Sequence, residues 1–276
     1  MIWLNGHQTG SASVSVQDRG YLLGDGLFET LLAVEGRPVF PDLHLDRLYQ
    51  SLPVLAMPAR YPRHEISAAI EAVAANANAS SATSRSVIRV TVTRTGGRGL
   101  EMSESAEHQN WLISGAAIGT PPDEMSLSVV ETCRPSTAAT SRLKSVNYLD
   151  NILARRRAVQ EGADEALLLN EHGRLSCAAA ANIYLIQEGE ILTPPVCEGA
   201  LPGTRRARLL SLEQQIYEQT GLRLSEIPLT RQDLVACRSA FVTNSLMGAV
   251  PVVRIDDHAK EKSPAMQAIS SLLQAD

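Results

Sequence analysis

The chain has 276 residues, is 44% hydrophobic and 20% charged, and carries a formal net charge of −5, an ordinary globular mixture with room for one large domain or two moderate ones. That charge, with no basic tract, gives no reason to expect a nucleic-acid surface, and no apolar run approaches the roughly 20 residues of a membrane span. Met1-Ile-Trp-Leu runs straight into Asn5-Gly6, which is read as no secretory leader. Cys133, Cys177, Cys197 and Cys237 lie too far apart for a zinc or C-x-x-C site, so no metal is expected and the thiols are read as reduced, in a cytoplasmic protein.

In chain order, residues 1–4, the Asn5-Gly6 turn and residues 13–16 predict an opening hairpin. Gly24-Asp-Gly26 marks tight backbone before a strand over 27–34, which Glu35-Gly36 turns back into 38–40. Asp42 is placed to cap a helix carrying His44, Arg47 and Leu48, which Pro53 ends or kinks. An Ala-rich helix follows over 65–77, then a polar loop over 76–84 and an alternating strand over 86–94, with Ile88, Val90 and Val92 on one face. The Gly96-Gly97-Arg98-Gly99 cluster lacks the Gly-Lys-Ser/Thr of a Walker loop and reads as a hairpin or a mobile loop. A strand over 111–115 leads into 116–124, whose Pro121-Pro122 makes it the best linker, so domains are expected at 1–118 and 119–276.

In the second half a strand over 126–131 precedes a polar loop and Lys144, at the mouth of a predicted helix that Gly162 stops. Val146, Leu149, Leu153 and Val159 would form its buried stripe, with Arg155, Arg156 and Arg157 turned to water. Strands are predicted over 165–169, 182–186 and 191–193, a helix over 204–220 closed by Gly221, strands over 239–243 and 250–255, and a final helix over 264–274. Short strands, hairpins and intervening helices predict an α+β protein of two domains with mainly antiparallel sheets.

Lys144 stands between apolar Leu143 and Val146. Partial desolvation there would weaken its preference for the charged form and make the amine nucleophilic, as an imine-forming lysine must be. On its own it reads more readily as a solvated lysine at a helix start. The motifs around it decide the matter: Asp18-Arg-Gly, Gly24-Asp-Gly-Leu-Phe28-Glu29-Thr, His44-Leu-Asp-Arg47-Leu, Leu143-Lys144-Ser-Val-Asn-Tyr148-Leu, Gly162-Ala-Asp-Glu-Ala-Leu, Ala181-Asn182-Ile-Tyr, Leu201-Pro-Gly203-Thr204-Arg205-Arg206 and Phe241-Val-Thr243-Asn244-Ser245. Each is weak alone. In this order, through most of the chain, they resemble the class IV aminotransferases, the fold-type IV pyridoxal 5'-phosphate (PLP) enzymes.

The resemblance implies a two-domain fold like that of D-amino-acid aminotransferase, PLP as cofactor, a small-molecule substrate and a homodimer. Within the family it is closest to the branch that cleaves 4-amino-4-deoxychorismate, with D-amino-acid and branched-chain transaminases as neighbouring branches. A PLP-binding protein without turnover is the third reading. The resemblance makes Lys144 the residue that carries PLP and puts Arg47, whose guanidinium forks onto phosphate oxygens, on the cofactor phosphate. The N–H groups of Gly203, Thr204 and Arg205 at a helix start suit the same dianion, as do Ser245 and Leu246 on a second turn.

Tyr148 would meet the ring hydroxyl or sit as half-buried core. Phe28 would face the substrate or belong to the core, and Arg98 would hold a substrate carboxylate. Where the family usually has the glutamate that pairs with the ring nitrogen, and a hydroxyl residue in the phosphate cup, this chain has Cys177 and Arg205. A neutral thiol is a poor partner for a pyridinium. That tilts the reading toward a lyase, whose aromatic product supplies driving force. Cys177 as a small buried residue stays open.

Overall fold

The computed structural model describes residues 1–79, 83–96, 99–101 and 104–274. It divides into two compact units: Met1–Thr120 with Leu143–Asn147, and Pro121–Arg142 with Tyr148–Asp276. A contiguous division at 118/119 does not anticipate the return of Leu143–Asn147 to the first unit.

In the first unit, β1 (Ile2–Leu4), β2 (His7–Thr9), β3 (Gly26–Val34), β4 (Arg37–Pro38), β5 (Arg85–Arg94) and β6 (Gln109–Ala117) form a six-stranded sheet among the described residues, ordered β2-β1-β6-β5-β3-β4. Every pairing is antiparallel. The opening hairpin returns at once, through β2, and not through 13–16, because Asn5 and Gly6 make a two-residue turn with positive φ at both positions. One sheet face, with Leu27, Leu31, Val90, Val92, Trp111 and Ile113, packs on α2 (Pro41–Ser51) and α3 (Arg63–Ala79) through Leu45, Leu48, Ile66, Ile70 and Val73. α3 runs through 76–79, where a loop was predicted. Asp42 is not the cap of α2: Phe40 holds that position in a left-handed conformation, and Asp42, in the first turn, accepts instead from Arg63 Nη2 at 2.8 Å.

A helix that the sequence did not suggest, α1 (Arg19–Leu23), is capped by Asp18, whose carboxylate takes the Tyr21 N–H at 3.2 Å, Thr93 Oγ1 at 2.7 Å and Asn110 Nδ2 at 2.8 Å. Asp25 accepts from Arg19 Nε at 2.8 Å and Arg94 Nε at 3.0 Å. The Asp18-Arg and Gly24-Asp motifs therefore tie α1 to the ends of β3, β5 and β6.

The second unit holds β7 (Met125–Cys133), α4 (Ala139–Arg142), α5 (Leu149–Gln160), β8 (Glu165–Leu169), β9 (Leu175–Ala178), β10 (Asn182–Gln187), β11 (Glu190–Thr193), α6 (Thr204–Ser211), α7 (Glu213–Thr220), β12 (Arg223–Glu226), α8 (Arg231–Ala236), β13 (Ser239–Asn244), β14 (Gly248–Ile255), β15 (His258–Ala259) and α9 (Met266–Gln274). Its nine-stranded sheet, counted among the described residues, runs β12-β11-β10-β13-β14-β7-β8-β9 with β15 on β14. Three of its pairings, β11–β12, β14–β7 and β7–β8, are parallel. The helix predicted over 204–220 breaks at Leu212, which leaves helical geometry and turns Leu209 and Ile216 into one apolar cluster with Ile269 and Leu273 of α9. Gly221 closes α7 in the left-handed conformation.

The buried side of α5 is the reverse of the predicted stripe. Asn151, Ala154 and Ala158 face inward, while Leu149 and Val159 are more than half exposed. The reason is close approach: α5 lies on Ala163, Ala166, Leu168 and Ala179, where only small side chains fit. Lys144 is not on this helix. It stands in the extended segment before Tyr148, whose φ of −109° makes it the residue that enters α5, so helical spacing does not relate Lys144 to Tyr148.

Candidate active site

Residues 143–147 add to the edge of β3 that β4 leaves open. Phe28 N–H donates to the Lys144 carbonyl at 2.8 Å and Val146 N–H to the Gly26 carbonyl at 3.0 Å, with Ser145 bridged antiparallel to Leu27. Leu143 is buried in the core of the first unit. Alternation sends the Lys144 side chain the other way, and its Nζ stands 4.3 Å from the centroid of the Phe28 ring. Phe28 lies on the sheet face opposite the helices, and Arg89, two residues along β5 from its cross-strand partner Thr91, sets its guanidinium 3.9 Å from the same ring. Two cations at one aromatic ring make its surroundings receptive to an anion. Alternation alone puts Arg89 on the strand face opposite Ile88, Val90 and Val92; only the pairing register puts it beside Phe28.

On the helix side of β3, Glu29 is almost fully buried. Its carboxylate takes Arg47 Nε at 2.7 Å on one oxygen and Arg47 Nη2 at 2.6 Å on the other, and the second oxygen also takes the ring N–H of His44 Nδ1 at 2.6 Å. Burial alone would raise the Glu29 pKa, but the charge and hydrogen bonds of Arg47, joined by His44, bring it down to about 2. Burial pushes the His44 pKa down, against the pull of Glu29, and Arg47 and Lys144 lower it further, so His44 is neutral at pH 7. Arg47 and His44, three residues apart on α2, reach the same strand position. Glu29 and His44 stood in the quoted motifs without a role; a strand residue and a helix pair have no sequence spacing that announces their meeting.

In the second unit, α6 starts at Gly203 with no side-chain cap, and the N–H groups and dipole of a helix start suit an anion. Asn182 shapes that start: its Nδ2 donates to the Leu201 carbonyl at 2.9 Å, and its Oδ1 lies 2.0 Å from where a Cβ on residue 203 would stand, so only glycine fits. A second turn is built by Asn244, whose Oδ1 accepts from Leu246 N–H at 3.0 Å and Met247 N–H at 2.8 Å while Nδ2 donates to the Ala180 carbonyl at 3.1 Å. Arg205 joins the two turns. Its Nη1 donates to the Leu273 carbonyl at 2.6 Å and its Nη2 to the Ser245 carbonyl at 3.5 Å. The structure thus groups Gly203, Thr204, Arg205, Ser245 and Leu246, and adds Asn182 and Asn244 as the residues that hold the turns in shape. A glycine-started helix without a side-chain cap, beside a second turn of backbone N–H groups, suits the phosphate of PLP.

Cys177 is buried on β9 in the apolar cluster of Ala154, Ala158 and Leu168, with Ser176 Oγ at 3.8 Å from its Sγ. Tyr148 is half-buried. Arg98, expected on a substrate carboxylate, lies outside the described residues.

A family model for amino-transferase class IV matches residues 26–255. A provisionally named branched-chain-amino-acid aminotransferase of Methanocaldococcus jannaschii is 33% identical over 264 residues, 92% of this chain and 88% of that protein. Among solved structures, a provisionally named 4-amino-4-deoxychorismate lyase from Legionella pneumophila superposes with a TM-score of 0.87 at 28% identity, covering 96% of each chain. The 4-amino-4-deoxychorismate lyase of Pseudomonas aeruginosa does so with a TM-score of 0.84 at 27% identity, covering 99% of this chain and 98% of that one.

Proposed function

The chain belongs to the class IV aminotransferase family, whose enzymes depend on PLP, and we propose that it is a 4-amino-4-deoxychorismate lyase, forming 4-aminobenzoate and pyruvate for folate synthesis. The observation that carries the choice of branch is Cys177, a thiol packed among alanines where the family usually has a glutamate. Bound PLP supplies an electron sink for bonds next to a substrate amine. A thiol supports that sink weakly, which suits a reaction whose product is aromatic better than one that must hold charge in two half-reactions. Two lyases stand among the solved structures that the chain resembles.

In this reading Lys144 holds the cofactor covalently, and Arg47, Ser245 and the N–H groups of Gly203, Thr204 and Arg205 take its phosphate. The Leu246 N–H shares that task with its bond to Asn244. The Arg205 side chain braces the cup and leaves the phosphate to the backbone. Tyr148 meets the ring hydroxyl and Cys177 the ring nitrogen. Phe28 lies against the substrate, and Arg89, beside Lys144 on the same ring, joins Arg98 as an anchor for carboxylates. With the cofactor bound, the Lys144 Nζ would take the proton from the ring carbon that bears the substrate amine. Cleavage of the neighbouring ring C–O bond, whose electron pair leaves with the oxygen, would complete the aromatic ring and release enolpyruvate, which takes a proton at its methylene carbon to become pyruvate.

The second reading, an aminotransferase acting on branched-chain or D-amino acids, is favoured by the likeness to the Methanocaldococcus protein. Purified protein incubated with 4-amino-4-deoxychorismate and no oxo acid should release pyruvate and 4-aminobenzoate in equal amounts. Turnover only with an amino acid and 2-oxoglutarate would overturn the lyase reading, and binding of PLP with neither product would leave a non-catalytic binder. The exposed Leu149, Ile152 and Leu153 on α5 support a second copy of the chain as partner in a cytoplasmic homodimer, which sedimentation equilibrium tests.

A further inference from the structure

We propose that Asn147 is a positioning residue for Lys144, and that residue 24 is glycine because Asn147 occupies the space a side chain would take. The inference rests on Lys144 being the residue that bears the cofactor.

The segment carrying Lys144 is held to the first unit by the burial of Leu143 and by two backbone bonds, Phe28 N–H to the Lys144 carbonyl and Val146 N–H to the Gly26 carbonyl. Neither fixes its exit toward Tyr148. Asn147 does: its Nδ2 donates to the Gly24 carbonyl at 2.8 Å and lies 3.4 Å from Ser145 Oγ, which also takes the Asn147 N–H at 3.4 Å. One amide therefore hooks the exit of the segment onto the corner between α1 and β3.

Gly24 is shaped to receive it. It ends α1 in the left-handed conformation, with φ +71°, and a Cβ there would fall 2.1 Å from Asn147 Oδ1 and 2.7 Å from Asn147 Cγ. Any side chain would drive the amide off its acceptor. Asn147 is itself exposed, so the core does not depend on it. What depends on it is direction: an extended segment that twists re-aims the side chain standing on it, and Lys144 Nζ has one place to keep, over the Phe28 ring.

The test uses the apoprotein and pyridoxal without its phosphate, so that the phosphate cup plays no part. The rate at which pyridoxal becomes fixed to Lys144 by borohydride, read by peptide mass, is measured for the native chain, Asn147→Ala, Gly24→Ala and the double variant, with the melting midpoint of each. Each single change should slow labelling about fivefold, the equivalent of one net hydrogen bond. Asn147→Ala should leave the midpoint unmoved, as an exposed residue permits. The double variant should be no slower than the slower single, because both remove the same contact and the left-handed strain that Gly24→Ala introduces cancels in the cycle.

An unchanged rate in Asn147→Ala, a slowing that tracks the midpoint across the set, or single effects that multiply in the double variant would each overturn the proposal. If the native chain labels at another lysine or not at all, it is the reading of Lys144 that has failed. Amide exchange at Val146 then tests the hook by itself: faster exchange in Asn147→Ala supports it, and equal exchange refutes it.

Discussion

Glu29→Gln should cost the apoprotein on the order of 3 kcal/mol at neutral pH. The carboxylate is buried, its two oxygens accept three short hydrogen bonds from Arg47 and His44, and its pKa falls from the ordinary 4.5 to about 2. At roughly 1.4 kcal/mol per unit, that drop corresponds to about 3 kcal/mol of stability, in keeping with the roughly 3–5 kcal/mol typical of removing one partner from a buried pair. Glutamine keeps the shape and loses the charge, leaving the Arg47 guanidinium without its counter-ion. Because the folded pKa is depressed, the contribution is present in full above about pH 4.5 and is lost as pH falls toward 2. Urea unfolding of native and variant apoprotein at a series of pH values from about 7 to about 3 reads both the size and the shape. A difference below about 1 kcal/mol at pH 7, the level of an exposed pair, would refute the buried-network account, and so would a difference that stays constant between about pH 4.5 and about pH 3.

His44→Gln should flatten the pH dependence of stability just below 6.5: the buried ring resists protonation while the unfolded histidine accepts it, so native stability is lost as pH falls through that range. A native profile with no slope there would contradict this, by the same unfolding measurement. Arg47→Lys keeps the charge but loses the fork onto Glu29 and phosphate. It should weaken PLP binding by about tenfold or more as read by fluorescence titration, and an unchanged dissociation constant would confine Arg47 to its pair with Glu29. Cys177→Glu should raise 2-oxoglutarate-dependent transamination relative to lyase turnover while lowering the apoprotein unfolding midpoint, since the new carboxylate enters an apolar cluster; lower stability with no gain in transamination would count against the ring-nitrogen role.

The α+β fold was legible because local signals and tertiary packing agree over most of the chain. The alternation of Ile88, Val90 and Val92 and the Glu35-Gly36 turn name the same elements that the first sheet adopts. The errors fall where tertiary contact overrides pattern. Periodicity ranks residues by apolarity, so it chose Leu149 and Val159 for the buried side of α5, whereas the close approach to Ala166 and Ala179 admits only Ala154 and Ala158. It also ran the helix back to Lys144, since sequence spacing carries no trace of Leu143–Asn147 pairing with the distant β3. The asparagines that shape the phosphate cup, Asn182 and Asn244, were visible only as motif letters, because their work is done across long separations in sequence.

The central claim is that Lys144 carries the cofactor, and borohydride reduction of the PLP-loaded protein followed by peptide mapping tests it most directly. The pyridoxyl mass should sit on Lys144 alone, and Lys144→Ala should lose the visible absorbance while keeping the native unfolding midpoint of the apoprotein. A pyridoxyl label on Lys260 or Lys262, or an undiminished absorbance in Lys144→Ala, would contradict the account.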